Sequence, residues 1–174
     1  ALVTAAVWRD KTFTHDVEKL EVPAITAPYA LSDQPIEYAD ATPLADSIVE
    51  YAKQYMGTCY LYAGKGPEGF DCSGFVYYVF KNFGIDVPAG SKYYDTLGIF
   101  IPLAEAMKGD IIVFTGTDST KRSPGHVGIV ISDKGEPVSF IHSSSAKSHS
   151  GVKVSNLEET GYSKRFLSVR RVLK

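Results

Sequence analysis

The sequence predicts an α+β fold, helices first and an antiparallel sheet after them. Apolar residues recur at helical spacing between positions 42 and 84, and the period changes to two in five segments beyond position 109. No helical stretch separates those later segments, as a doubly wound parallel sheet would require.

The first helix opens at Thr42-Pro43, with Thr42 as N-cap and Pro43 at the first helical position. Leu44, Ile48, Tyr51 and Tyr55 follow on one face, and Gly57 ends the run. Phe75, Val76, Val79, Phe80 and Phe83 make the apolar stripe of a second helix, with Gly84 as its stop. Five segments then read as strands: DIIVF (110–114), HVGIVIS (126–132), VSFIHSS (138–144), GVKV (151–154) and FLSVRRVL (166–173). Residues 1–41 carry Pro23, Pro28 and Pro35, with Pro43 at their border, and show no long periodic stretch. They read as an extended arm, too short for a core of its own, ahead of one domain over 42–174.

Composition narrows the function classes. A net charge of −2 offers nothing to capture nucleic acid electrostatically. No apolar run reaches the length of a membrane span, so no integral membrane segment is expected. The 11 Tyr and 9 Phe suit carbohydrate or peptide contacts, and tyrosines in a core explain the count equally well. The chain opens on Ala1 rather than Met; a removed secretory signal is the expectation, and a shortened chain fits as well.

Cys72, in GFDCSGFV (69–76), is the residue with chemistry to explain. Asp71 is placed to N-cap the second helix, which puts Cys72 in the first turn. There, unpaired N–H groups and the helix dipole favour thiolate and could hold an oxyanion. On those eight residues alone a small buried hydrophobe is the simpler reading. The balance rests on a base. Of the four histidines, His15 falls in the arm and His149 beside a serine-rich loop, where both should be exposed. His126 opens a strand and by alternation shares a face with Gly128 and Val130, opposite Val127, Ile129 and Ile131. A three-residue loop Asp133-Lys134-Gly135 would pair Ser132 with Glu136 and therefore His126 with His142. Opposed residues share a face with Cβ atoms about 4.5–5.5 Å apart. His126 would then take the Cys72 proton, and His142 would fix its tautomer and ring direction. A purely structural histidine pair is the plain alternative.

With these residues in view, YMGTCYLYAGKGPEGFDCSGFVYYVFKNFGIDVP, KGDIIVF, GHVGIVI and FIHSSS resemble, in order and spacing, the NlpC-type cysteine peptidases of bacterial cell walls, over roughly residues 44–173. The resemblance implies a minimal papain-like fold, with N-terminal helices packed on an antiparallel sheet of about five strands. It also implies hydrolysis of amide bonds in peptidoglycan stem peptides, commonly between D-glutamate and a diamino acid. By motif, Cys72 is similar to the nucleophile, His126 to the base and His142 to the orienting residue. Tyr60 resembles the tyrosine near oxyanion and substrate, and Asp71 and Ser73 match positions that shape the substrate pocket. Cys59 stands where proline is usual, and Ala89 and Tyr94 stand in a segment where arginine and glutamine are usual. The implied partner is a stem peptide or muropeptide met by a monomer outside the cytoplasm, in the cell envelope, periplasm or medium, with no cofactor and no metal. An inactive wall-binding module and an acyl transferase on the same fold are the alternatives.

Three rival readings of the motifs are weaker. GKGPEG (64–69) formally satisfies G-x-G-x-x-G, but the helices of a parallel βαβ unit are missing after it. The loop more plainly brings Tyr60 and Cys72 round one cleft. Cys59, Cys72, His126 and His142 have the atoms for zinc but not a compact ligand spacing. A Cys59–Cys72 disulfide would silence the nucleophile, and the number of free thiols decides that reading.

Overall fold

The computed structural model describes residues 43–158 and 161–174. The arm, with His15, and the Thr42 cap lie outside the described residues. In chain order the elements are α1 (Pro43–Lys53), β1 (Lys65–Gly66), β2 (Gly69–Phe70), α2 (Cys72–Asn82), β3 (Ile99–Ile101), β4 (Ile111–Thr115), β5 (Pro124–Val130), β6 (Ser139–Ser144), β7 (Gly151–Asn156), α3 (Tyr162–Arg165) and β8 (Phe166–Arg171). β1 and β2 form a small hairpin, and the other six strands form one antiparallel sheet in the order β3-β8-β4-β5-β6-β7.

Five of those six strands are the five read from the sequence. The sixth, β3, is a three-residue edge strand between Gly98 and Pro102, too short to display a period. In α1 the expected face is corrected: Leu44 is exposed, and the buried residues are Ala45, Ile48, Val49 and Ala52. The two alanines, which hydropathy patterns weigh little, give this face small side chains, while Tyr51 and Tyr55 pack at its margin. α2 is buried along Phe75, Val76, Val79 and Phe80, and Phe83 and Gly84 close it as expected.

The sheet divides the core in two. Val127, Ile129, Ile111, Val113 and Ile141 face α1 and α2, while Ile112, Phe114, Val130, Phe140 and Val169 form a second cluster with Tyr162. The alternation expected of β5 is therefore present. Its hairpin is not: Ile129 faces Ile141 and Val130 faces Phe140, two residues away from the register that a three-residue loop dictates. By continuation His142 lies opposite Gly128, and His126 lies diagonal to it rather than directly across. The connection is longer because Pro137 has no N–H for the ladder and Val138 turns its carbonyl to the N–H of Leu157. At the far end of the sheet Asp110 is almost fully buried and takes both the Nε and an Nη of Arg171, at 2.7 and 2.8 Å.

Candidate active site

Asp71 performs the N-cap role expected of it. Its Oδ1 accepts the N–H of Gly74 at 2.6 Å and the hydroxyl of Ser73 at 3.1 Å, which starts α2 at Cys72. The loop before it is knitted by glycine. Gly64 donates its N–H to the carbonyl of Leu61 and accepts the N–H of Asp71 with its own carbonyl. A Cβ on Gly74 would meet that same Gly64 oxygen at 1.9 Å, so only glycine lets the loop rest on the helix start. Ala63, next to it, adopts a left-handed backbone with φ of 57°, a strained conformation of the kind that concentrates at working sites. The hydroxyl of Ser143, buried in β6, donates to the carbonyl of Phe70 at 2.7 Å and ties the loop to the sheet. GKGPEG is thus a turn that folds back on α2. It brings Tyr60, bridged to Phe70, to the same cleft as Cys72.

That cleft has a volume of about 380 Å³ and is walled by Tyr60, Asp71, Cys72 and Ser73 on one side, with Ala89 to Lys92 and Gly125 also lining it. Cys72 is 9% exposed and Ser73 4%, and both line this cleft. Both cysteines are free thiols, which removes the disulfide reading. Among the described residues no group of three His, Cys, Asp or Glu side chains gathers to hold a metal.

Sequence reasoning expected the helix start to favour thiolate. The N–H groups of Cys72, Ser73 and Val127 do act in that sense. They are outweighed by burial, the largest influence, and then by the Asp71 carboxylate, so the Cys72 thiol is pushed up. Both influences favour the protonated thiol over the thiolate. Tyr60 is raised as well, by burial first and then by Cys72 and Asp71, and stays a neutral donor.

β5 supplies the neighbouring histidine through a bulge. Phe114 pairs with His126 but Thr115 pairs with Pro124, which leaves Gly125 as the extra residue. A Cβ there would fall 2.5 Å from the N of Gly116. Gly125 lines the cleft with Cys72 and the backbone of Val127 acts on the Cys72 thiol, and His126 is the residue between them. Its Nε2 lies 2.9 Å from Nδ1 of His142, with the two rings nearly perpendicular. The pairing expected from the hairpin is therefore made across a diagonal. A Cβ on Gly128 would be 3.1 Å from that of His142, and glycine there leaves the space into which the rings close.

Both imidazoles are held well below the ordinary histidine range. Burial is the largest cause for each; Arg165 and Lys153 add to it at His126, and His126 itself, Lys153 and Arg165 at His142. His126 keeps partial surface exposure. Tyr162 stacks on that ring at 6.1 Å, and the guanidinium of Arg165 lies over Tyr162 in turn. Two participants here, Tyr162 and Ser155, were not read from the sequence, and Tyr94 was read only as a departure from the family pattern. Tyr162 comes from the four-residue α3. Ser155 Oγ lies 3.1 Å from Nε2 of His142. Tyr94 is buried with its hydroxyl on the carbonyl of Pro88, and its own pKa is raised by burial and then by Cys72 and Asp71. His149 is exposed and takes no part.

Comparisons with known proteins identify the family. A Bacillus cereus gamma-D-glutamyl-L-lysine dipeptidyl-peptidase is 34% identical over 132 residues, covering 76% of this chain and 38% of the relative. The Escherichia coli murein DD-endopeptidase MepS/murein LD-carboxypeptidase is 32% identical over 127 residues, covering 72% of this chain and 62% of the relative. The chain therefore spans less than two thirds of the length of either relative. A crystal structure of an NlpC/P60 family protein from Bacillus cereus superimposes with a TM-score of 0.68 at 34% identity, over 77% of this chain and 42% of that one. The NlpC/p60 domain of the peptidoglycan hydrolase SagA gives 0.59 at 27%, over 74% of this chain and 98% of the domain. The family model for NlpC/P60 matches residues 57–171, a span that takes in the cleft, α2 and the histidine pair, and the chain belongs to the NlpC/P60 family.

Proposed function

We propose that the chain is a cysteine endopeptidase that hydrolyses amide bonds in peptidoglycan stem peptides, at bonds between D-glutamate and a diamino acid. The observation that carries this is the His126–His142 pair beside a protonated Cys72 at the floor of a peptide-sized cleft. Relatives whose names specify gamma-D-glutamyl-L-lysine and murein peptide bonds support the substrate class.

Cys72 Sγ attacks the scissile carbonyl while its proton passes to the free Nδ1 of His126. A carbon–sulfur bond forms and the carbonyl oxygen becomes the oxyanion, stabilised by N–H groups at the start of α2 and by the Tyr60 hydroxyl. Collapse breaks the carbon–nitrogen bond, and the departing amine takes the proton from His126. Water, deprotonated by His126, then hydrolyses the thioester and restores the thiol. A base with a depressed pKa and a thiol with a raised one share their proton only in the transition state, where the N–H groups stabilise the developing charge. Asp71 and Ser73 shape the pocket from one side. Lys92, which also lines the cleft, offers a cation to a stem-peptide carboxylate.

The peptidase domain comprises 42–174, with 1–41 as an arm, and it works as a monomer outside the cytoplasm. Among the described residues no helix is long and apolar enough to cross a membrane. The test is Cys72→Ala, with fragments released from purified peptidoglycan read by mass spectrometry. The variant should keep the fold and release nothing; undiminished release ends the proposal. A product heavier than its substrate would indicate acyl transfer instead.

A further inference from the structure

Beyond Cys72 and the histidine pair, the ring nitrogens continue into a third contact. His126 Nε2 meets His142 Nδ1 at 2.9 Å, and His142 Nε2 meets Ser155 Oγ at 3.1 Å. This deepens the peptidase reading and rests on it. If His126 accepts the thiol proton on Nδ1, its neutral form must carry hydrogen on Nε2. That N–H needs a lone pair on His142 Nδ1, so His142 must carry its own hydrogen on Nε2. Ser155 Oγ is the acceptor that satisfies this hydrogen. The chain of donors then runs in one direction, from His126 through His142 to Ser155.

We propose that Ser155 is a positioning residue, which holds His142 in its Nε2–H tautomer and so keeps the Nδ1 lone pair turned toward His126. The strand register makes the contact specific. Ser155 pairs with Phe140 and Lys153 pairs with His142, so Ser155 reaches His142 across the diagonal of β6 and β7 on the face that carries Phe140 and Tyr162. His142 is fully buried, so no water replaces a lost partner cheaply. Without Ser155 the alternative tautomer, with hydrogen on Nδ1, would set two N–H groups against each other at 2.9 Å. His126 would then have to turn or give up its own Nε2 hydrogen, and either takes its Nδ1 out of service as a base. The charged and titratable groups facing the pair are Lys153 of β7, Arg165 and Tyr162 of α3, and Cys72 of α2. Lys153 and Arg165 both oppose protonation, which leaves the direction of the donor chain, not an added anion, to aim the base.

The test compares Ser155→Ala and Ser155→Thr in the 174-residue chain labelled with nitrogen-15 at histidine. Ring nitrogen shifts should report His142 as the Nε2–H tautomer in the parent and in Ser155→Thr, and as a mixture in Ser155→Ala. The alkylation rate of Cys72, measured on a Cys59→Ser background, should fall roughly 10-fold in Ser155→Ala and recover in Ser155→Thr, the loss expected from one buried hydrogen bond to a group that becomes charged. Where muropeptide cleavage is measurable, kcat should fall with KM unchanged. An unmoved tautomer in Ser155→Ala overturns the proposal, including the case in which a lowered melting temperature alone explains slower chemistry. Neither the nitrogen shifts nor the alkylation needs a substrate, so a chain that cleaves no muropeptide would refute the peptidase reading and still leave the role of Ser155 decided.

Discussion

Replacing Gly74 by alanine tests the idea that three glycines shape the cleft. An ideal Cβ at this position lies 1.9 Å from the Gly64 oxygen, 3.0 Å from its carbonyl carbon and 3.2 Å from Asp71 Oδ1. The oxygen belongs to backbone and cannot rotate away as a side chain would. It would have to retreat by about 1 Å or more to reach an ordinary contact, and the backbone at Gly64 is itself hemmed in, because a Cβ there would meet the Gly69 oxygen at 2.4 Å. Retreat also breaks the bond from the Asp71 N–H, which now measures 3.0 Å. Overpacking of about 1–3 kcal/mol and a lost hydrogen bond of about 1 kcal/mol give a destabilisation of roughly 2–4 kcal/mol. For a domain of this size that lowers the melting temperature by roughly 6–15 °C. Tyr60 rides on the displaced loop, so muropeptide cleavage should fall about 100-fold even in the folded fraction, as misplacement by 1 Å commonly costs. Calorimetry and a cleavage assay well below the variant's melting temperature separate the two effects. A variant that melts within about 2 °C of the parent and cleaves at the parental rate would refute the packing argument.

Two further outcomes follow from the electrostatics of the site. Asp71→Asn keeps an oxygen for the Gly74 N–H but removes a charge that raises the Cys72 thiol, so the pH profile of Cys72 alkylation should move to lower pH; an unmoved profile would leave burial as the only cause. Both His126 and His142 are depressed by burial, so the unfolded chain binds more protons than the folded one once the pH drops below the ordinary histidine value of about 6.5. Stability should therefore be at its full value above that pH and decline as acid is added. Urea midpoints between about pH 4 and 7 should show a slope that flattens in His142→Gln, and an equal slope in that variant would contradict the assignment.

Much of the site was legible because its members carry local signals. Asp71 before Cys72 announces a capped helix start, and the alternation after His126 announces its strand and its face, whereas the bulge at Gly125 is visible only in the structure. What stayed hidden depends on sheet order. Ser155 and Tyr162 reach the histidines because β7 lies beside β6 and because α3 covers the outer face next to Phe114 and Phe140. No spacing rule relates either residue to position 142. The energy balance at the thiol was hidden too, since the helix start is a local feature whereas burial by the sheet and Tyr94 is not.

The hairpin register differs from the one a three-residue loop dictates, yet the same two histidines meet. A three-residue loop and the observed longer connection differ by two residues in register, and two is the period of a strand. The shift moves His142 along its face without turning it to the other one. A one-residue error would have turned the imidazole to the face of Val127, Ile129 and Val113, away from His126. Imidazole length then closes the diagonal: neighbours offset by two are about 7–8 Å apart at Cα, within reach of two rings that meet edge to face. Gly128 makes the closure feasible, because any side chain there would occupy the space opposite His142. The histidine pair is thus selected by strand parity and a glycine, and the length of the turn has little say in it.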